Sequence, residues 1–331
     1  MSTAALYPQP RLLGDVGGTN VRLALETAPG VLGASAVLAC AAHPSLEAAI
    51  KAFLAAHGHE PVRHAAIAIA TPVDGDAVTM TNHPWAFSIE ATRRALGFDT
   101  LLLINDFTAL ALALPKLAEH ELLAIGGGER RPDAAIALVG PGTGLGVSGL
   151  IPCGGRWTAL ASEGGHASFA PHDARESALL DVVRRRYPHV SAERLISGPG
   201  LVLIHDALRE LDGAPPQPLL AAELAADAQA GSCPFCVETA ALFSGMLGGF
   251  AGSLALTLGS FGGVYLGGGV IAGLGSAFDR SRFRTRFEAK GRFADYLARI
   301  ATVQIVAELP ALRGASARLA DVLDASAPAR T

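Results

Sequence analysis

Two glycine-dense turns constrain the fold of this chain more than any other feature. The sequence GDVGGTN occupies residues 14–20, and GPGTGLG occupies residues 140–146. Short apolar runs flank each turn and predict β-strands at residues 11–14, 21–25, 136–139 and 147–151. Each turn therefore joins two strands, whereas a dinucleotide-binding turn joins a strand to a helix. A strand–turn–strand unit that occurs twice indicates an internal repeat.

The rest of the chain alternates predicted strands with predicted helices, which indicates an α/β fold. Further strands are predicted at residues 64–70, 101–104, 263–266 and 302–306. Helices are predicted at residues 45–57, 90–96, 107–114, 174–186, 200–210, 234–258 and 280–299. Gly58 and Pro115 are the expected stop signals of the first and third helices. A chain of 331 residues exceeds the size of a single core, so we expect two lobes around a cleft.

Composition and charge exclude several classes of partner. The formal net charge is −4 and only 17% of the residues are charged, so we expect no nucleic-acid partner. Residues 1–10 lack the basic and apolar regions of a secretory signal. Residues 239–278 carry no charge, but the glycines among them favour a buried helix and strand over a membrane span. We therefore expect a cytoplasmic protein without a membrane partner.

The cysteines give no metal or disulfide signal in the sequence. Four cysteines in a chain of this length do not form a disulfide framework. Cys233 and Cys236 form a single C-x-x-C pair, with no second pair and no histidine at zinc-finger spacing. Because a structural zinc needs four ligands, we interpret this pair as small buried side chains near the start of a helix.

The glycine turns are candidate phosphate-binding loops. Turns of this kind present several backbone N–H groups on one side, without a Cβ that would block a phosphate. Asp15 stands at the first turn and is placed to bind Mg²⁺ through water. The alternative is that both turns are ordinary hairpins, since the chain contains 38 glycines.

A catalytic carboxylate is predicted at the end of the apolar strand 101–104. Asn105 and Asp106 follow that strand directly, where α/β sheets bind their ligands. A carboxylate at this place accepts the proton of an attacking hydroxyl during phosphoryl transfer. The alternative is that Asp106 caps the following helix.

Three further polar or glycine-rich stretches are candidates for ligand contacts. Glu163 and His166 flank a pair of glycines, which suits sugar hydroxyls or else a polar surface turn. Glu193 lies in a predicted first helical turn, where an acidic residue also complements the helix dipole. The sequence GGGVIA at residues 267–272 fits a dinucleotide motif formally, but no βαβ unit is expected after it, and a glycine floor under an adenosine is the preferred interpretation.

Together these motifs resemble the proteobacterial-type glucokinases of the hexokinase and actin-like ATPase superfamily. The resemblance runs from residue 13 to about residue 318. It is carried by GDVGGTN (14–20), MTNHPWAFSI (80–89), INDFTA (104–109), GTGLGV (142–147), EGGH (163–166), SAER (191–194), SGPGL (197–201) and FGGV (261–264).

The resemblance implies a two-domain actin-like ATPase (ribonuclease-H-like) α/β fold, with five-stranded mixed sheets flanked by helices around a cleft. The expected domains are residues 1–116 plus 307–331 and residues 117–306. The implied activity is ATP-dependent phosphorylation of D-glucose to glucose 6-phosphate by a Mg²⁺-requiring, cytoplasmic homodimer. The alternatives are another hexose or hexosamine kinase and a non-catalytic actin-like protein that binds ATP and sugar.

The resemblance also implies roles for individual residues. Asp106 is the expected general base, and Asn105, Glu163, His166 and Glu193 are the expected sugar ligands. Asp15 is the expected Mg²⁺ residue, acting through water. The expected nucleotide-binding residues are Gly14, Asp15, Val16, Gly17, Gly18, Thr19, Gly142, Thr143, Gly144 and Gly268. Pro84 and residues 161–162 depart from the family pattern, and we expect these departures to affect the choice of sugar rather than the type of reaction.

Overall fold

The computed structural model describes residues 7–57 and 60–326. The chain divides into two compact units: unit 1 comprises Met1–Leu117 and Ala307–Thr331, and unit 2 comprises Ala118–Val306. Part of the N-terminal segment (residues 1–6) and the expected helix stop at Gly58 lie outside the described residues.

The α-helices are numbered in chain order. They are α1 (Leu46–His57), α2 (Ile89–Leu96), α3 (Asp106–Ala113), α4 (Ala174–Arg184), α5 (Ala192–Leu195), α6 (Gly198–Leu211), α7 (Ala221–Ala230), α8 (Pro234–Leu258), α9 (Gly269–Leu274), α10 (Arg280–Glu288), α11 (Ala294–Ala298) and α12 (Pro310–Ser326). Helices α1 to α3 and α12 belong to unit 1, and the others belong to unit 2.

Unit 1 contains, within its described residues, a five-stranded mixed sheet and a two-stranded hairpin. The strands are β1 (Arg11–Val16), β2 (Asn20–Ala28), β3 (Val31–Ala39), β4 (His64–Ile69), β5 (Ala77–Thr79), β6 (Ala86–Ser88) and β7 (Thr100–Asn105). The order in the sheet is β3-β2-β1-β4-β7, and β5 pairs with β6. β1 is antiparallel to β2 but parallel to β4, which is in turn parallel to β7.

The sheet of unit 1 buries both of its faces, because successive side chains of a strand point to opposite sides. Leu12 of β1 is buried in the core that contains α1, whereas Leu13 is buried in the core that contains α12. Neither β3 nor α12 was predicted from the sequence. α12 is nevertheless the helix that covers the second face, with Leu312 and Leu319 buried against it.

Unit 2 contains a sheet of six described strands, rather than the expected five. The strands are β8 (Leu122–Gly126), β9 (Ile136–Pro141), β10 (Leu145–Cys153), β11 (Arg156–Ser162), β12 (Val264–Leu266) and β13 (Thr302–Ile305), in the order β11-β10-β9-β12-β13-β8. The sixth strand is β8, which pairs with β13 across an irregular register. β9 is antiparallel to β10 and parallel to β12, as β1 is to β2 and β4, so the strand pattern repeats between the units.

The uncharged segment predicted as a core helix forms α8. By length and composition α8 is the one helix among the described residues that could cross a membrane. Its side chains Leu242, Phe243 and Met246 are, however, buried in the core of unit 2. A Cβ at Gly248 would lie 2.1 Å from the carbonyl oxygen of Phe283, so this glycine lets α10 pack directly against α8. The glycines of α8 thus serve helix packing, which supports the interpretation as a core helix.

The α-helix predicted to stop at Pro115 does end before it, because α3 stops at Ala113. Pro115 itself lies inside the 3-10 turn Leu114–Lys116 that follows α3. Proline fits there since its fixed φ is compatible with a first helical turn. The predicted helix at residues 280–299 is divided into α10 and α11, with Gly291 at φ +55° between them.

Replacing Gly314 with alanine should destabilise unit 1. A Cβ at this position of α12 would lie 1.6 Å from the carbonyl oxygen of Ala109 in α3, so the two helices must move apart. We expect Gly314→Ala to lower the free energy of unfolding by about 2 kcal/mol or more in urea denaturation followed by circular dichroism. Gly273→Ala is the control, because a Cβ there meets no atom within 4 Å. Equal stability of both variants would contradict the close crossing of α3 and α12.

Candidate functional site

The first glycine turn connects β1 to β2 in unit 1. It is closed by a hydrogen bond of 2.9 Å from the backbone N–H of Gly17 to the carbonyl oxygen of Asn20. A Cβ at Gly18 would lie 3.0 Å from the backbone oxygen of Asn82, so the loop packs against the β5–β6 hairpin segment without a side chain. Thr19 is exposed at the tip of the turn.

Gly14 and Val16 belong to β1 and are buried. A Cβ at Gly14 would lie 2.5 Å from the Cδ1 atom of Ile67 in the neighbouring strand, so a larger residue there would force the Ile67 side chain to move. The assignment of Gly14 and Val16 to nucleotide binding stays a prediction.

Asp15 lies beside Arg22, its cross-strand partner on β2. The Nη1 atom of Arg22 donates to Oδ2 of Asp15 over 3.2 Å, and the Asp15 side chain is only 19% exposed. Burial raises the pKa of Asp15, and the nearby Arg22 opposes that rise. The carboxylate is therefore a poorly solvated anion, a state that a nearby cation would stabilise.

Asn105 and Asp106 stand at the carboxyl end of the parallel strands of unit 1. Asn105 pairs with Ile69 at the end of β4, and Ile69 pairs with Val16 at the end of β1. The sequence therefore brings Asp106 and the first glycine turn to the same edge of one sheet. Ligands of α/β sheets bind at this edge.

The helix cap that the sequence offered as an alternative for Asp106 is supplied by Asn105. Its Oδ1 accepts hydrogen bonds from the backbone N–H groups of Phe107, at 3.0 Å, and Thr108, at 3.1 Å. Its Nδ2 donates to Oδ1 of Asp106 over 3.1 Å and to the carbonyl oxygen of Thr71 over 3.4 Å. Asn105 thus orients the half-buried Asp106 carboxylate, whose Oδ1 also accepts from the N–H of Phe107.

The second glycine turn connects β9 to β10 in unit 2. The N–H of Gly142 donates to the carbonyl oxygen of Gly144, and the carbonyl oxygen of Gly142 accepts from the N–H of Gly198, both at 2.8 Å. The second bond attaches the amino end of α6 to the turn. A Cβ at Gly142 would meet no atom within 4 Å, and Thr143 is exposed, so this part of the turn faces open space.

Glu193 of α5 lies directly against the second turn. Its Oε2 accepts a hydrogen bond of 2.8 Å from the N–H of Leu145. A Cβ at Gly144 would lie 2.5 Å from that same oxygen, so a side chain at residue 144 would displace Glu193. The contact with Glu193 therefore gives a packing reason for glycine at residue 144. The predicted contact of Gly144 with the nucleotide stays a prediction.

Three of the predicted sugar ligands come together in unit 2. Nδ1 of His166 lies 3.8 Å from Oε1 of Glu193, and Nε2 of His166 lies 4.0 Å from Oε2 of Glu163. Glu163 and His166 are well exposed, at 64% and 60%, whereas Glu193 is 32% exposed. The cluster offers carboxylate acceptors and an imidazole, which suits a polyhydroxylated ligand.

The glycine pair between Glu163 and His166 has a structural reason that the sequence analysis did not anticipate. Residues Gly164–His166 form a 3-10 turn beside β10. A Cβ at Gly165 would lie 2.1 Å from the carbonyl oxygen of Leu145, so the turn packs against β10 rather than leaving room for a ligand. This close approach brings His166 towards Glu193.

Unit 2 also contains a largely apolar pocket of about 820 Å³ that opens onto the second turn. The amino ends of α6, α7 and α9 form its walls. The lining residues are Gly142, Thr143, Gly198, Pro199, Leu201, Val202, Leu219, Leu220, Ala221, Ala222, Ala225, Gly269, Val270 and Gly273. A pocket with apolar walls and a glycine turn at one end suits an aromatic base joined to a phosphate chain.

Most of this pocket was not recognised in the sequence. Ser197 caps α6 through its side chain, and Pro199 follows, so the helix start at residue 198 was readable. Residues 219–222 carry no motif. Gly268, the predicted nucleotide residue, has φ +86° and packs against the carbonyl oxygen of Pro141, whereas its neighbour Gly269 lines the pocket.

The connection after residues 267–269 also differs from expectation. β13 follows β12 as a parallel neighbour, with helices between them, so a βαβ unit is present where none was expected. The first helix of this connection, α9, is only six residues long. The pocket beside α9 takes its glycine turn from the β9–β10 hairpin, which a dinucleotide-binding turn does not do.

Comparison with known proteins identifies similar chains along nearly the whole sequence. A family model described as Glucokinase matches residues 12–322. A curated relative from Chromobacterium violaceum, named Glucokinase, is 55% identical over 323 residues, which cover 98% of this chain and 93% of that protein. The solved structure of a glucokinase from an Antarctic psychrotroph has 34% identity and a TM-score of 0.87, and the match covers 95% of this chain and 100% of that one.

Some relatives are much longer than this chain. The protein of Burkholderia lata named "Bifunctional protein glk" is 58% identical over 319 residues, which cover 95% of this chain but 49% of that protein. This chain therefore spans about half the length of the bifunctional relatives.

Replacing Asp15 with asparagine should not destabilise the protein at neutral pH. Burial raises the pKa of Asp15 in the folded protein above its value in the unfolded chain, which is about 3.9. The protein therefore loses stability as the pH rises from the unfolded-state pKa through the folded-state pKa. At pH 7 the wild type has the full loss of stability that burial of the Asp15 carboxylate causes. The neutral amide of Asp15→Asn has none of that loss. We expect the melting temperature of Asp15→Asn to equal or exceed that of the wild type at pH 7, with the difference shrinking towards pH 4.

The control is Asp99→Asn, which removes an exposed carboxylate that pairs with Arg63. Differential scanning calorimetry at both pH values measures the effect. A lower melting temperature of Asp15→Asn at pH 7 would show that the ion pair with Arg22 outweighs the cost of burial.

Proposed function

Because the chain belongs to the glucokinase family, we propose that it transfers the γ-phosphoryl group of ATP to the 6-hydroxyl of D-glucose, the entry step of glycolysis. The predicted resemblance to bacterial glucokinases and the predicted two-domain α/β fold of the actin-like ATPases are confirmed. We take unit 1 as the small domain and unit 2 as the large domain of that fold.

The observation that carries the proposal is the pocket of unit 2. Its apolar walls suit the adenine ring, and Gly142 and Thr143 at one end suit the phosphates. α6 has 14 residues, and the partial positive charge of its amino end favours an anion beside Gly198. These features support a nucleoside triphosphate as the ligand of this pocket. Gly17, Gly18 and Thr19 of unit 1 are the proposed second contact with the phosphates.

Asp15 fits the proposed Mg²⁺ site by its chemistry. It is a poorly solvated carboxylate with one oxygen on Arg22, and a single carboxylate is a common protein contribution to a Mg²⁺ shell that is otherwise water and phosphate. Bound Mg²⁺ supplies neutralisation of the β- and γ-phosphate charge. We propose that Asp15 holds it through water.

Glu163, His166 and Glu193 are the proposed ligands of the sugar hydroxyls in unit 2. Oε2 of Glu193 is engaged by the N–H of Leu145, which holds the side chain in one orientation and directs Oε1 towards His166. A carboxylate that is already positioned loses little conformational entropy when a ligand binds. Asn105, which orients Asp106 in unit 1, is the proposed fourth sugar ligand.

Asp106 is the proposed general base. Its position at the amino end of α3 and its hydrogen bonds from Asn105 and Phe107 fix the carboxylate at the carboxyl edge of the sheet. In the proposed reaction the carboxylate accepts the proton of the sugar hydroxyl as that oxygen bonds to phosphorus and the bond to ADP breaks.

The compartment, the partners and the oligomeric state of the enzyme are proposals as well. We propose a cytoplasmic enzyme that has no membrane or nucleic-acid partner, on the grounds that α8 is buried in the core of unit 2 and that the formal net charge is −4. The homodimer implied by the resemblance stays a proposal, which sedimentation would test.

A coupled assay of glucose 6-phosphate tests the function directly. The purified chain, ATP, Mg²⁺ and a panel of glucose, mannose, fructose, glucosamine and N-acetylglucosamine should give the largest kcat/KM for glucose. A clear lead for another sugar would identify a related hexose or hexosamine kinase. Absence of any phosphorylated sugar, with nucleotide binding intact, would favour the non-catalytic alternative.

Replacing Asp106 with asparagine should abolish most of the activity. Loss of a general base lowers kcat by about 10²- to 10⁴-fold, while the amide keeps a hydrogen-bond acceptor for the N–H of Phe107. We expect the dissociation constants of ATP and glucose, measured by calorimetry, to change little. Asp133→Asn, an exposed aspartate of unit 2, is the control. A kcat within a few-fold of wild type would exclude Asp106 as the base.

Filling the apolar pocket should weaken ATP binding selectively. A Cβ at Gly269 meets no atom within 4 Å, so a valine side chain there would extend into the pocket without disturbing the fold. We expect Gly269→Val to raise KM for ATP at least about tenfold, equivalent to ~1.4 kcal/mol, with KM for glucose nearly unchanged. An equal rise in both constants, or in neither, would contradict the assignment of this pocket to the nucleotide.

A further inference from the structure

One histidine and two cysteines converge in unit 2 outside the proposed active site. His205 lies in the middle of α6, Cys233 is the residue that caps α8, and Cys236 lies in the first turn of α8. One potential ligand atom of each side chain lies within 4.8 Å of the other two. His205 and Cys236 are buried and Cys233 is half-buried. From this cluster we infer a site for a thiophilic divalent cation such as Zn²⁺, bound by His205, Cys233 and Cys236.

His205 has a buried ring nitrogen whose hydrogen-bonding capacity a metal ion would satisfy. Its side chain is 0% exposed, and Nε2 has no hydrogen-bond partner among the described residues. Nδ1 lies 3.4 Å from Oδ1 of Asp206. A proton on Nδ1 directed at this carboxylate leaves the lone pair on Nε2, which is the arrangement of metal-bound histidines. A buried nitrogen without a partner costs stability, and a bound cation would remove that cost.

The two thiols suit the same cation. Both are free, and the N–H of Cys236 donates to the Sγ atom of Cys233 over 3.3 Å. A cysteine thiol gives up its proton when it binds a divalent cation, so zinc binding at this site would release protons.

To bind a zinc ion, the ligand atoms of His205, Cys233 and Cys236 need to move only slightly closer together. Bonds of about 2.3 Å to sulfur and about 2.1 Å to nitrogen at a tetrahedral zinc place ligand atoms roughly 3.5–3.8 Å apart. The cluster, with separations of up to 4.8 Å, must close by about 1 Å. Cys233 is half-buried, which leaves a water molecule access to the fourth position. Thiolate and imidazole ligands favour zinc over Mg²⁺, so the site would not compete for the ion proposed at Asp15.

The site would fasten α6 to α8. The amino end of α6 lines the nucleotide pocket, and α8 is the central buried helix of unit 2. A cation that joins the two helices would stabilise the folded unit by mass action, because it binds the assembled ligand set. The inference does not depend on the proposed kinase activity.

Metal titration of the full chain tests the inference. The chain is purified under reducing conditions, stripped with a chelator, and titrated with Zn²⁺ against a chromogenic chelator. We expect one tightly bound zinc per chain. With Co²⁺ as the probe, we expect the charge-transfer absorption of cobalt thiolate. Saturating Zn²⁺ should also raise the melting temperature.

Variants of the ligand residues, and of the carboxylate that supports His205, distinguish zinc binding at this site from nonspecific zinc binding elsewhere on the chain. Cys233→Ser and Cys236→Ser should each lower the cobalt thiolate absorption and weaken zinc binding by at least about 100-fold, and the double variant should remove the absorption. Asp206→Asn, which alters only the support of His205, should weaken it by about 10- to 100-fold. Cys153→Ser, at an exposed free cysteine, and Cys40→Ser, at a buried one, are the controls and should bind like the wild type.

Three results would overturn the inference. The first is zinc affinity that is unchanged in both Cys233→Ser and Cys236→Ser. The second is a wild-type cobalt complex without thiolate absorption. The third is a failure to occupy the site. This outcome is seen if the chain binds no zinc although thiol titration shows all four thiols free, or if Cys233 and Cys236 form a disulfide even in the presence of zinc.

Discussion

The hydrogen bond between the N–H of Leu145 and the carboxylate of Glu193 is the contact on which the site of unit 2 depends. It attaches α5 to the second glycine turn and holds Glu193 against Gly144, where a larger side chain would displace the carboxylate. His166 reaches the same carboxylate because Gly165 packs on the carbonyl oxygen of Leu145. One backbone segment thus positions both the proposed phosphate loop and the proposed sugar ligands.

Unit 1 reaches a comparable arrangement through its parallel strands. β1, β4 and β7 end side by side, so the first glycine turn and Asp106 share one edge of the sheet. The side chain of Asn105 serves two purposes there, since its Oδ1 atom caps α3 and its Nδ2 atom orients Asp106. Capping and catalysis were alternatives for Asp106 in the sequence; the cap is supplied by Asn105, and catalysis by Asp106 stays a proposal.

Local signals predicted the elements that carry their own boundaries. Ser88 and Gly97 bound α2 as a side-chain cap and a left-handed glycine, and α8 has the predicted bounds because proline starts it and a glycine ends it. The elements that were not predicted include β3, β8, β11, α7 and α12. β3 is largely exposed, and α12 is defined chiefly by the sheet face that it covers. Neither element has a strong pattern without its neighbours.

The sequence by itself determined the family, the α/β class and the residue types at the two turns, because short motifs with fixed spacing encode local backbone geometry. Only the tertiary structure decided which distant residues meet. The pocket walls at residues 219–222 and the approach of His205 to a C-x-x-C pair follow from helix packing, not from spacing along the chain. The physical reason is that contacts between elements depend on which faces are buried together, and a single sequence records which side chains are apolar but not which of them touch.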